Sequence, residues 1–241
     1  MKSWKSISSL FVVIVLSAIF IINGQKKTDD KETDITKFPT LEYQNQWADK
    51  LSAKQQKRRK KYNNRYAPKI SESSDLIYST SDWYVDLPAL PTAKSDLVVV
   101  GEVTQAEAQL SEDETNIYSE FTIQISEVLK NDSPSTLAAG NSVVVERLGG
   151  RVRLPSGKVV VSRIDKQDLP RIGKRYVLFL TKDKDGDFHI LTGYELRDGK
   201  VFPLDNLRPS HPITAYTGTG EVSFLTDLNK VLANPSISQS P

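Results

Sequence analysis

Asp96-Leu97-Val98-Val99-Val100-Gly101-Glu102-Val103 is a β-branched run with a single internal glycine. Branching at Cβ stiffens χ1 and suits an extended backbone. Gly101 in its middle marks a kink or bulge, where a strand can turn sharply. The run therefore reads as the strongly bent first strand of a small barrel.

Working outward, the same signal repeats. An acidic loop (Glu112, Asp113, Glu114) leads to Ile117 through Leu129, where Phe121, Ile123 and Ile125 alternate with Thr122, Gln124 and Ser126. Alternation with period two marks a strand with one buried face. Asn131-Asp132-Ser133-Pro134 is a turn. Gly140-Asn141 introduces Val143-Val144-Val145, and Gly149-Gly150 breaks that strand. Arg151 to Leu154 and Lys158 to Arg163 flank Pro155-Ser156-Gly157 as a hairpin. Pro170 and Gly173 precede Tyr176-Val177-Leu178-Phe179-Leu180, the most apolar segment. Phe188 to Tyr194 and Lys200 to Phe202 follow, separated by Asp198-Gly199. No helix-length segment lies between these strands, so a parallel α/β sheet is excluded in favour of a sandwich or barrel. Val222, Leu225, Leu228, Val231 and Leu232 then repeat at helical spacing until Asn234-Pro235. The expected fold is all-β with a C-terminal helix: an OB-like small antiparallel β-barrel over 96–234, a lead-in over 70–95 and a tail over 235–241. In the lead-in, Trp83-Tyr84-Val85 forms an edge strand or a plug.

Before residue 70 the character changes. Lys2 and Lys5 precede an apolar run from Leu10 to Ile22. A charged start before such a run is the pattern of an export signal. Extended back to Ile7 and forward to Gly24 it gives about 18 residues, close to the shortest stretch that spans a bilayer. Residues 1–25 are thus a signal peptide or signal anchor, an N-terminal hydrophobic helix with its N-terminus inside. The anchor is favoured because no A-x-A cleavage pattern follows. Residues 26–69 are a polar linker that becomes a basic helical stalk between Leu41 and Tyr66, stopped by Pro68. Residues 50–69 hold nine Lys and Arg and no acid, while the whole chain carries +2. A basic arm precedes an acidic domain.

The strand segments resemble the OB-fold barrel of the netrin/TIMP-like module, and exported bacterial proteins of similar pattern. The matching residues are Asp96 through Val103, Phe121 to Ile125 with Val128-Leu129-Lys130, Val143 and Val145, and Pro170 through Leu180. The resemblance implies the fold and an extracellular binding habit. It does not carry over metalloprotease inhibition, which in eukaryotic relatives uses an N-terminal cysteine and disulfides; this chain has no cysteine.

The absence of cysteine also removes thiolate nucleophiles and cysteine-ligated zinc. His189 and His211 are the only histidines. Neither belongs to a metal motif, so no metal and no cofactor is expected. Asp183-Lys184-Asp185-Gly186-Asp187 superficially resembles a calcium loop. The sixth and twelfth positions, Phe188 and Tyr194, are not the required Gly and Glu, and a hairpin turn is the favoured reading. Thr217-Gly218-Thr219-Gly220 lacks the spacing and lysine of a phosphate loop and reads as a connector.

Two sets of cations are candidate contacts. Lys57, Arg58, Arg59, Lys60 and Lys61 could meet a polyanion such as anionic lipid, with a solvated stalk as the blander reading. Arg147, Arg151, Arg153, Lys158 and Arg163 could line a ligand face of the barrel, or simply a solvated strand face. Sparse aromatics near the basic run argue against nucleic acid. Together these features suggest a non-catalytic binding module at the cell envelope, membrane-anchored or secreted, with a protein, glycan or anionic lipid as partner. The alternatives are an envelope hydrolase whose carboxylates meet only on folding, and a structural subunit of an envelope complex.

Overall fold

The computed structural model describes residues 37–42, 52–133 and 136–234. The apolar leader, most of the linker before Ser52, residues 134–135 and the 235–241 tail lie outside the described residues. Among the described residues no helix is long and apolar enough to cross a membrane.

The elements are β1 (Thr40–Glu42), α1 (Ala53–Lys61), β2 (Leu76–Ser79), β3 (Leu97–Leu110), β4 (Ile117–Asn131), β5 (Ser142–Leu148), β6 (Gly150–Arg153), β7 (Val159–Ile164), β8 (Arg175–Lys182), β9 (Phe188–Arg197), β10 (Lys200–Pro203) and α2 (Glu221–Ala233). A mostly antiparallel sheet closes a ring of five strands. β3 pairs with β4, β4 with β5, β5 with β9, β9 with β8, and β8 returns to β3. The β5–β9 contact is parallel and joins only Val145 to Phe188 and Glu146 to His189. β10 extends the sheet beyond β9.

The two faces of β3 explain why its opening reads as continuously apolar rather than alternating. Leu97 and Val99 join the ring interior with Phe121, Ile123, Val145, Leu178 and Leu180. Val98 and Val100 join a second cluster outside it, with Val177, Phe179, Tyr194, Phe224 and Leu228. A strand buried on both sides has no polar face to display. The lead-in residues Leu87 and Leu90 belong to this second cluster, with Trp83 and Tyr84 packed against it from a turn rather than an edge strand. α2 covers the same side through Phe224 and Leu228, while Val222 is exposed. The buried stripe is therefore phased on Phe224 rather than on Val222.

Gly101 sits at a register shift against β4. A Cβ there would lie 2.6 Å from Ile123 Cγ2 and 2.7 Å from the Gln124 carbonyl oxygen. The close approach of β4 thus requires glycine. The β5–β6 corner needs Gly149 and Gly150, whose φ angles of 109° and 146° are costly for L side chains.

A second, four-stranded sheet has the order β1-β6-β7-β2. The β6–β7 hairpin is its centre, and β1 and β2 flank it as parallel edges. Val152 and Val160 pack there with Ile70, Leu110 and Ile117.

The basic helix is shorter than the sequence suggests. Ser52 begins it with a capping box: the Gln55 N–H donates to Ser52 Oγ, and the Ser52 N–H donates to Gln55 Oε1 at 2.9 Å. Arg58 to Lys61 fill the last turn, where cations complement the helix dipole. The helix stops at Lys61, seven residues before Pro68. The chain turns away there, with Tyr62 held by Glu146 of the ring and Asn64 by Asp113 and Thr115 of the β3–β4 loop. Thr40–Glu42, expected near the start of that helix, is a strand instead.

Candidate functional site

Residues directly opposite in adjacent strands share a face. The register aligns Glu107 of β3 with Glu120 of β4, Glu120 with Glu146 of β5, and Glu146 with His189 of β9. Phe121 and Val145, the neighbours of Glu120 and Glu146, belong to the interior cluster. The three glutamates and the histidine therefore run across the outside of the ring. Like charges directly opposite one another repel, so this row needs cations over it.

α1 supplies them. Arg58, itself buried, donates from Nε and Nη2 to Asp187 Oδ1 at 3.1 and 2.8 Å. Its Nη1 lies 3.3 Å from Glu120 Oε2. Its Nε is also 3.0 Å from Glu146 Oε1, but the single N–H there is aimed at Asp187. Glu146 Oε1 thus has an ionic contact without a directed hydrogen bond. Lys61 Nζ meets Glu146 at 2.9 Å, Asp183 at 2.8 Å and Asp187 at 3.3 Å. Tyr62 donates to Glu146 Oε2 at 2.6 Å and stacks on Tyr118, ring centroids 4.0 Å apart. Glu146 ends fully buried on an outward-facing strand position because α1 and Tyr62 cover it.

The turn between β8 and β9 completes the seat. Asp183 accepts from the backbone N–H groups of Asp185 and Asp187, shaping the hairpin, and contacts His189 Nε2 at 2.9 Å. The aspartates of the former calcium candidate thus close a turn and face Lys57, Arg58 and Lys61. Among the described residues no group of three or more His, Asp or Glu is disposed to hold a metal ion. Around the rim, Arg59 donates to the carbonyls of Leu110 and Ser111. The Asn64 N–H donates to Asp113 and Thr115 in the β3–β4 loop.

The electrostatics follow from this packing. Burial alone would raise the Asp183 carboxyl; the Lys61 ammonium, His189 and a backbone N–H outweigh it and hold it well below the carboxylate range. Asp187 is likewise low, burial being overcome by Arg58 and then Lys61. Glu120 goes the other way: burial raises it, Arg58 opposes, and the Glu146 charge adds to the rise. Burial and the Glu146 carboxylate push the Tyr62 phenol far up, so it stays a donor. Lys61 stays protonated, its hydrogen bonds to Asp183 and Glu146 outweighing desolvation. Chemically, this is a saturated charge network shaped to seat a basic helix.

Each cation of the basic run is therefore engaged within the chain. Lys57 pairs with Asp185 at 2.9 Å, and Lys60 with Glu112 at 3.6 Å. The second candidate set is split. Register puts Arg151, Arg153 and Arg163 on one face of the four-stranded sheet. Arg151 donates to Thr40 Oγ1, and Arg163 lies over the Tyr78 ring. Lys158 follows the hairpin turn and pairs with Asp75 at 2.7 Å. Arg147 is elsewhere, buried under Trp83 and paired with Asp205 at 2.9 Å. Asp205 also accepts from Thr192 and the Asp168 N–H.

The glutamate row was not legible from sequence, since it depends on the β4–β5 register. The charge asymmetry between the basic arm and the acidic domain was its one visible trace. No protein-family model matches the chain, and no curated protein matches it by sequence.

Proposed function

We propose that this chain is a non-catalytic interaction module of the cell envelope, exported or anchored through residues 1–25 and built on an OB-like barrel. Supporting the barrel reading is the ring order first, second, third, fifth, fourth, closing on the first through β8 and β3. OB barrels bind ligands on the second and third strands and the loops after the first and fourth. The corresponding parts here are β4, β5, the 111–116 loop and the 183–187 turn.

The observation that carries the reading is a cluster of four carboxylates on the outside of the ring, each met by a cation. Glu120, Glu146, Asp183 and Asp187 are all engaged by Arg58 and Lys61, which leaves a recognition network rather than a poised acid and base. The partner is a protein or glycan that brings positive charge to this acidic face. Two measurements test the proposal. A phosphatase reporter fused after Pro241 is expected to be active outside the cytoplasm; activity confined to the cytoplasm removes the export half. A photo-crosslinker at the exposed Val144, beside the glutamate row on β5, is expected to trap an envelope component in intact cells. Recovery of uncrosslinked chain alone would count against a binding role for this face.

A further inference from the structure

We propose that the Ala53–Asn64 segment is a charge-operated strap: it leaves and re-enters its seat on Glu120, Glu146 and the β8–β9 turn while the ring stays folded. Three observations carry this. First, α1 reads Ala-Lys-Gln-Gln-Lys-Arg-Arg-Lys-Lys, and Arg58 is its one buried residue. No residue of the strap belongs to any of the three apolar clusters, so its departure leaves those clusters closed and uncovers chiefly Tyr118 and Glu146. Segments that bury little apolar surface open at low free energy, independently of global unfolding. A nine-residue helix is also marginal by itself.

Second, what holds the strap is mainly charge. From the ring it is faced by Glu120 on β4, Glu146 on β5, Glu112 and Asp113 in the β3–β4 loop, Asp183, Asp185 and Asp187 in the β8–β9 turn, and His189 on β9, with Glu107 of β3 beside Glu120. It answers with Lys54, Lys57, Arg58, Lys60 and Lys61. Lys54, Lys57 and Lys60 are mostly exposed, so salt screens their share. The Tyr62–Tyr118 stack is the principal apolar contact.

Third, the vacated seat selects its own ligand. With the strap away, Glu120 and Glu146 oppose each other uncompensated, and the repulsion favours return of a polycation. The seat is thus a receptor for a lysine- and arginine-rich helix, and the strap is its resident occupant. This deepens the binding-module reading by naming what the acidic face receives.

Hydrogen exchange on the full chain in mild detergent tests the strap directly. Between about 0.05 and about 1 M NaCl, amides of 55–64 are expected to exchange about tenfold faster or more, while those of 97–103 and 176–180 hold their rates. Strap and ring amides exchanging together, at either salt concentration, would overturn the proposal. The second arm uses the full-length Arg58→Gln/Lys61→Gln chain, titrated with a labelled peptide of residues 52–66. Saturable, salt-weakened binding is expected, about tenfold or more tighter than to the wild-type chain, whose seat is filled. No binding to the folded variant, or binding undiminished by further Glu120→Gln and Glu146→Gln changes, refutes the receptor. Loss of the β circular-dichroism signal in the variant refutes independence of strap and ring. Both arms are run in vitro, so they stand or fall separately from the export and crosslinking results.

Discussion

Glu120 and Glu146 are direct cross-strand partners on β4 and β5, and the guanidinium of Arg58 bridges their carboxylates, 3.3 Å from one and 3.0 Å from the other. An arginine from a helix outside the ring thus cancels a repulsion built into the ring's own register. The consequences differ from those of an ion pair locked in a core, and the chain contains one of each.

Arg58→Ala is expected to release the strap. Its cost in a urea titration should stay below the ~3–5 kcal/mol typical of breaking a buried pair, because the glutamates regain water once the segment lifts. Trypsin should then cut faster between Lys54 and Lys61. Arg58→Lys should rescue poorly, since an ammonium cannot reproduce the Nε and Nη2 fork on Asp187. A loss as large as a core pair's would show that the segment cannot lift.

Arg147→Ala provides the contrast. Its guanidinium and Asp205 are buried between β5, β9 and the chain after β10, with no mobile partner to withdraw. Removal leaves an uncompensated carboxylate, and the full ~3–5 kcal/mol is expected in the same titration. A milder effect would mean that water reaches Asp205.

Strap docking should depend on pH with a definite sign. Asp183 and Asp187 have depressed folded values, so their contribution is present above the ordinary aspartate pKa of about 3.9 and lost as pH falls through the lower folded values. Glu120 is raised, so it takes up a proton earlier in the folded state and offsets part of that loss on the way down. Lys61 is raised, so its contribution is intact below the ordinary lysine value of about 10.4 and fades as pH rises through the higher folded value. The docked fraction should fall on acidification below the ordinary aspartate pKa of about 3.9, and again on alkalinisation above the ordinary lysine pKa of about 10.4. The ring-current shift of the Tyr62 protons over Tyr118 reports that fraction. A rise in docking on acidification would reverse the assignment.

Gly101→Ala places a methyl against the Gln124 carbonyl oxygen at 2.7 Å. Backbone is a poor neighbour to displace, so about 1–3 kcal/mol of destabilisation is expected, read as a lowered thermal midpoint. An unchanged midpoint would mean that β3 and β4 can separate there without loss.

The strands of the ring were legible because Val98 to Val100, Phe121 to Ile125 and Tyr176 to Leu180 state their burial in residue type and period. β1 and β2 were not. Each is short, and each is extended only because the β6–β7 hairpin offers it an edge. The basic run read as a free stalk because nothing local tells a lysine that its partner lies on another strand. Glu120 and Glu146 looked like two surface acids until the path from Asn131 to Ser142 set them opposite each other. α2 was found by its period but phased on Val222, since five aliphatic positions outweighed the lone aromatic Phe224, which fixes its orientation.

Arg58 and Asp187 are separated by 129 positions. During synthesis the arginine leaves the ribosome long before its aspartate has been made. The positively charged segment must therefore wait, without its aspartates, until the turn between β8 and β9 exists. Closing a loop of that length carries its own entropic cost, so docking of this segment follows synthesis of most of the ring.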